Sequence, residues 1–242
     1  MKLSAAICAH PVRREPAEQV QASLSRHVPI IFDENPRPSA DPLQRWATHR
    51  RAWETAYAAD KHAEAVLVLQ DDILVAREAL AALEEALDLF PRDERGRAQF
   101  CVSAYTGTGR PDQKNVRRAL ALADHRGESW IRTRSLNWGP AICLPRWVVP
   151  GMLEAVDAHI HSHTPPYSNT DYAIGVYVRD VLGWATHYTV PSLVEHRGLP
   201  SLVGHDKGQR RRAHRYLGGG RSALEVDWGR VPSEGLLVRL SG

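Results

Sequence analysis

Three short apolar runs, LSAAICA (3–9), VPIIF (28–32) and AVLVL (65–69), are separated by stretches with helical spacing. This alternation constrains the fold more than any other feature of the chain. A continuously apolar strand is buried on both faces, and parallel neighbours must be joined by a crossover, usually a helix. Residues 15–27 bring Val20 and Leu24 to one helical face, and residues 43–59 carry Trp46, Trp53 and Tyr57, expected in the core. A third helix is predicted over 77–90 and a fourth strand over 99–104. Strands and helices in this order predict an α/β fold with a mostly parallel central sheet flanked by helices.

The second half is less regular. Residues 105–118 read as a glycine-rich basic loop. Strands at 130–133 and 141–144 flank the turn NWGP, and 145–159 is helical. In HIHSHTPPYSNT, three histidines (His159, His161, His163) would share one face at strand spacing and could ligate a metal, but the flanking prolines argue for a loop. A helix over 171–181 and a strand over 186–190 lead into PSLVEHRGLPSLVGH. No linker or repeat interrupts the 242 residues, so one domain is expected.

Composition excludes several classes. The chain is 43% hydrophobic and 24% charged, which is ordinary for a globular protein. No apolar run approaches the ~18 residues of a membrane span. The start, MKLSAAICAHP, imitates a signal peptide but stops at His10-Pro11, and reads as a first strand. Three widely spaced cysteines in apolar surroundings (Cys8, Cys101, Cys143) read as buried thiols in a reducing compartment, hence a cytoplasmic location. The net charge of +3 permits a nucleic-acid partner without requiring one.

The third apolar run ends in QDDIL, with two adjacent carboxylates, Asp71 and Asp72, at the carboxyl end of a strand. Ligands of open α/β sheets bind at such ends. Adjacent carboxylates repel, and Mg²⁺ or Mn²⁺, which prefers oxygen ligands and shares its shell with phosphates, is a natural compensator. The plain structural alternative is a helix start, with Asp72 stabilising the dipole of the following helix.

An apolar strand, then Gln70-Asp71-Asp72, then an apolar pair resembles the metal-binding DxD-type motif of GT-A fold glycosyltransferases, in its EDD-like form. Further resemblances come in order along the chain: Asp33 after the second strand, NWGPAICLPR, SNTDYAIG and VPSLVEHRGLPS. The likeness implies a nucleotide-sugar half over about 1–104 and an acceptor half over about 105–242. It implies Asp72 and His196 as metal ligands, with His205 the rival to His196, and Asp71 on ribose or metal-bound water. Asp33, Arg50, Trp138, Gly139 and Lys207 would contact the nucleotide sugar; any of Arg45, Arg50 and Arg51 could be the arginine that reaches it. Trp138 would be either a packing plug or a stacking platform. Asp171 would be the catalytic base of an inverting transfer from a nucleoside diphosphate sugar, a UDP-sugar by expectation; in a retaining enzyme it would only orient substrate.

Two basic stretches, Arg110, Lys114, Arg117, Arg118 and Arg210, Arg211, Arg212, would suit a nucleic-acid strand held by its phosphates. Together with the compact length they resemble the small phage-type enzymes that glycosylate 5-hydroxymethylpyrimidines in DNA. The alternatives are a saccharide or glycoprotein acceptor and, in another class, a non-catalytic nucleic-acid-binding protein in which QDD is a helix cap. A nucleotidyltransferase is disfavoured because CAHPVRREP lacks the early glycine-rich phosphate loop.

Overall fold

A computed structural model describes residues 1–108, 113–163, 169–202, 211–218 and 220–229. The first half follows the alternation: β1 (Leu3–Ala9), α1 (Arg14–Ser23), β2 (Ile30–Phe32), α2 (Pro42–Ala59), β3 (Ala65–Gln70), β4 (Ile73–Val75), α3 (Ala79–Leu87) and β5 (Val102–Ser103). The second half adds α4 (Gln113–Arg126), β6 (Trp130–Thr133), β7 (Ala141–Pro145), α5 (Val149–Ser162), α6 (Thr170–Val176), β8 (Thr186–Thr189) and β9 (Val194–His196).

Seven strands form one sheet in the order β2-β1-β3-β7-β5-β8-β6. β1 pairs in parallel with β2 and β3, and β5 with β8. β7 runs antiparallel to both β3 and β5, and β6 antiparallel to β8. Thus β1, β2, β3, β5 and β8 share one direction, and β6 and β7 oppose it. The α/β class and the mostly parallel sheet are as expected.

Side-chain alternation along each strand splits the core in two. Leu3, Ile7, Leu67, Leu69 and Cys143 face α1, α3 and α4, whereas Ala6, Val66, Val68, Ile142 and Leu144 face α2, α5 and α6. Trp46 and Trp53 are buried in the second layer, as expected. Among the described residues no helix is long and apolar enough to cross a membrane. All three cysteines are free thiols.

Three local readings are corrected. Residues 113–118 are not loop but the first turns of α4, which buries Val116, Ala119, Leu120 and Ala123 at i, i+3, i+4 and i+7. The basic residues on its outer face conceal that stripe in the sequence. His159 and His161 belong to α5, not to a loop, so the three histidines do not share a strand face. Instead His159 and His163, one turn apart, stack with ring centroids 3.9 Å apart, while His161 Nδ1 contacts the Asp157 carbonyl. Finally, Asp72 does not start a helix. Asp71 and Asp72 form a turn between β3 and β4; β4 pairs antiparallel with β9, and α3 begins only at Ala79.

Candidate functional site

The parallel strands β1, β2 and β3 end together, and the turns beyond their carboxyl ends build the site. After β1, His10 caps a short 3-10 turn over Pro11–Arg13, its Nδ1 accepting from the Val12 N–H. That turn aims Arg13 back at β3. Asp33, just beyond β2, is tied to the Ala9 carbonyl through its own N–H (2.8 Å). Burial, with the Asp71 and Asp33 charges beside it, pushes the Cys8 thiol well above its ordinary range.

The two carboxylates of the β3–β4 turn are compensated by an arginine that sequence reasoning missed. Arg13 Nη1 donates to Asp71 Oδ1 and to Asp72 Oδ2, each at 3.0 Å, and Nη2 donates to the Pro200 carbonyl at 2.6 Å. The other oxygen of Asp71 accepts the His10 backbone N–H at 2.8 Å. Asp71 is only 5% exposed, with both oxygens engaged, so the expected ribose contact is corrected: this carboxylate anchors β1 to β3. Burial first, then the Asp72 charge, pushes its carboxyl above the usual carboxylate range, against the pull of His10 and Arg13.

Asp72 is different. Register pairs Ile73 with His196, so β9 delivers the His196 ring to Asp72. Nδ1 lies 3.5 Å from Oδ1, an ion-pair distance too long for a good hydrogen bond. That Oδ1 is buried and has no hydrogen-bond partner among the described residues. Burial pushes this carboxyl up, but His196, Arg13 and Arg211 together outweigh it and hold it below the usual range. Among the described residues no three His, Cys, Asp or Glu side chains converge to hold a metal ion. Asp72 and His196 together could contribute at most two ligands to a Mg²⁺ or Mn²⁺, whose other ligands would have to come from phosphates and water.

The site continues toward Asp171 through aromatic residues. The His196 ring meets Tyr105 edge-on, with centroids 5.1 Å apart. A methyl group placed on Gly107 would lie 2.6 Å from the Tyr105 ring and 2.8 Å from Trp138 Nε1, so these two side chains meet at Gly107. On the neighbouring Gly139, such a methyl would lie 2.8 Å from Asp171 Cβ. Gly139 thus makes room for Asp171. Trp138 is 8% exposed and edge-on to Tyr188, which makes it a packed side chain and not an open stacking platform.

Asp171 sits in the first turn of α6, half-buried, with Oδ1 accepting the Tyr172 N–H at 2.9 Å. Burial pushes its carboxyl up; the Tyr172 N–H and the charges of Arg211 and Arg45 resist. Arg45 is steered there by Asn169, whose side-chain oxygen accepts from its Nη2.

Arg211 therefore acts on Asp72, Tyr105 and Asp171. Its segment is fixed by strand-like pairing: Thr108 N–H to the Arg212 carbonyl (2.7 Å), His214 N–H to the Thr106 carbonyl (2.8 Å) and Ala213 N–H to Glu195 Oε1 (2.9 Å). Lys114, Arg117 and Arg118 are exposed on one face of α4, and α4 meets the same segment through Gln113–His214 and Asp124–Arg215 contacts. Arg50 is corrected: it pairs with Glu54 and with Asp157 of α5. Arg51 instead reaches the end of β2, bonding Glu34 and the Phe32 carbonyl. Arg110, Lys207, Arg210 and His205 lie outside the described residues.

Fold and site together define an α/β protein with a buried, arginine-compensated pair of carboxylates at its parallel strand ends. No protein-family model matches the chain, and no curated protein matches it.

Proposed function

We propose that this protein is a metal-dependent glycosyltransferase that moves a sugar from a nucleoside diphosphate sugar, a UDP-sugar by preference, to a hydroxyl acceptor. The observation that carries this reading is Asp72 Oδ1: a buried carboxylate oxygen with no donor among the described residues, 3.5 Å from the ring nitrogen of His196. Such an oxygen costs about 1–3 kcal/mol unless something binds it. Asp72 and His196 would hold Mn²⁺ or Mg²⁺, which when bound neutralises the charge of the departing nucleoside diphosphate.

The chain's own groups divide the remaining work. Arg13 fixes Asp72 and spares the turn from repulsion between its carboxylates. Arg211, within electrostatic reach of both Asp72 and Asp171, suits the diphosphate that would lie between them. Asp171 takes the proton of the attacking hydroxyl, and its raised pKa makes it a better base near neutral pH. Attack from the side opposite the leaving group inverts the anomeric carbon.

For the acceptor we favour a 5-hydroxymethylpyrimidine in DNA. The exposed Lys114, Arg117 and Arg118 of α4, packed beside the segment bearing Arg211 and Arg212, support it as a phosphate-binding margin. The non-catalytic reading, in which the basic stretches do the work, took QDD as a helix cap; Asp71 and Asp72 lie instead in the turn before β4, so that account of the two carboxylates does not apply. The test is the mass of DNA containing 5-hydroxymethylcytosine after incubation with UDP-hexoses and Mn²⁺. The expected result is a gain of one hexose residue per modified base, none on plain cytosine and none with Asp171→Asn. Transfer to glycans alone would discard the DNA acceptor, and transfer to no hydroxyl at all would discard the enzyme.

A further inference from the structure

Two buried donors stand between the halves of this site without a partner among the described residues: the Tyr105 hydroxyl and the Trp138 indole N–H. Tyr105 is 1% exposed and Trp138 8%. Buried polar groups are nearly always hydrogen-bonded, and exceptions need an explanation. Some neighbours are satisfied, whereas Asp72 Oδ1 and Thr189 Oγ1 also lack a partner among the described residues. Ser103 Oγ donates to the Trp138 carbonyl at 2.8 Å, Thr106 Oγ1 to the Thr189 carbonyl, and Tyr188 Oη to the Ser135 carbonyl.

Their position is specific. Contacts run from Asp72 to His196, from His196 to Tyr105, from Tyr105 across Gly107 to Trp138, and from Gly139 to Asp171. On the proposed reading, the first of these holds the leaving diphosphate and the last activates the acceptor. The transferred sugar must lie between them, beside Tyr105 and Trp138.

We infer that Tyr105 Oη and Trp138 Nε1 are the specificity-determining donors for the transferred sugar, and that they select a neutral hexose by two of its hydroxyl oxygens. This rests on the glycosyltransferase reading above and deepens it. An indole N–H can only donate, so its partner must be an acceptor oxygen. The Tyr105 phenol likewise has one O–H to donate, with the Glu195 and Asp72 carboxylates nearby. The same carboxylates, with Asp171, oppose an acidic sugar in this place. Both donors are buried in this structure, so a sugar reaches them only when the side chains around them move.

Unpartnered donors give discrimination because a sugar lacking the matching hydroxyl leaves them unpaired. Each lost hydrogen bond is worth about tenfold in affinity. The experiment is calorimetric titration, with Mn²⁺ present, of UDP and of UDP-glucose, UDP-galactose and UDP-N-acetylglucosamine into the native protein, Tyr105→Phe and Trp138→Phe. The quantity read is the affinity of the best UDP-hexose divided by that of UDP. The expected result is that UDP binds all three proteins alike, while the ratio falls about tenfold in each variant. Tyr105→Phe should melt no lower than the native protein, because its hydroxyl has no partner among the described residues to lose. An unchanged ratio in Tyr105→Phe with UDP still bound, or no UDP-hexose binding better than UDP to the native protein, overturns the specificity pair and leaves the nucleotide site standing. Failure of UDP to bind the native protein overturns the site itself.

Discussion

Arg13 is the residue whose removal tests the electrostatic construction of the site. Its guanidinium joins Asp71 and Asp72 at 3.0 Å each, with side-chain exposures of 11%, 8% and 15%. Deleting one partner from a buried ion pair costs roughly 3–5 kcal/mol, because the other charge is left uncompensated. Arg13→Met keeps most of the stem's packing and removes the charge. For a chain of this size, about 2–4 °C is lost per kcal/mol, so the midpoint should fall by roughly 6–20 °C near pH 8.

The pH dependence identifies the cause. Asp71 already has a raised folded-state pKa, from burial and then from Asp72. Without Arg13 it rises further. A carboxyl whose folded pKa lies above its unfolded value contributes stability that is fully present below the unfolded value, near 4, and lost as pH rises through the folded one. The deficit of Arg13→Met should therefore shrink as pH falls from 8 toward 5. Asp71→Asn introduced into the same variant should recover a large part of the loss at pH 8 and little at pH 5. Thermal unfolding of the native protein, Arg13→Met and the double variant across that range is the assay. A deficit that is the same at every pH, or that Asp71→Asn leaves in place, would refute the charge argument and leave only lost packing.

Other consequences are as direct. Asp171→Asn should abolish transfer, by the 10²–10⁴-fold expected of a lost general base, yet melt higher than the native protein at pH 7. Burial raises the Asp171 pKa, so its charge costs stability above that value, and the two proteins should converge below about pH 4. Gly139→Ala puts a methyl 2.8 Å from Asp171 Cβ, so it should cut turnover more than tenfold, at a stability cost of about 1–3 kcal/mol. Reversing Lys114, Arg117 and Arg118 to glutamate should leave the fold intact, since all three are exposed, and reduce the salt slope of DNA binding by about 2–3. An unaltered slope would place DNA elsewhere or nowhere.

The first half of the fold was legible because its strands are uninterrupted apolar runs and its crossovers have helical spacing. β1 begins and ends where the sequence suggests, and α2 and β3 differ by a residue at one end. β4 and β9 were not legible. Each is three residues long, and their pairing joins positions more than a hundred residues apart, which no local pattern records. α4 was missed because its outer face is basic and its start follows a glycine-rich stretch.

The placement of three candidates was legible from the sequence: Asp72 just beyond a strand end, His196 at the end of β9, and Asp171 in a first helical turn. Arg13 left a trace, since a cation was needed beside two adjacent carboxylates, but the choice of this arginine depends on the turn that His10 caps. Tyr105 left none, because an unpartnered hydroxyl exists only in three dimensions. Arg50 and Arg51 show the same limit. Neighbours on one helix point about 100° apart, and only packing determined that Arg51 meets β2 while Arg50 meets α5.

The central claim is that Asp72 and His196 seat a divalent ion that in turn holds a nucleoside diphosphate. Calorimetric titration of UDP with and without Mn²⁺, into the native protein and into Asp72→Ala, tests it most directly. The account predicts UDP binding that requires Mn²⁺ and is lost in Asp72→Ala. Binding that is indifferent to Mn²⁺ and survives the substitution would contradict the metal seat, and no binding of UDP or any other nucleoside diphosphate to the native protein would contradict the glycosyltransferase itself.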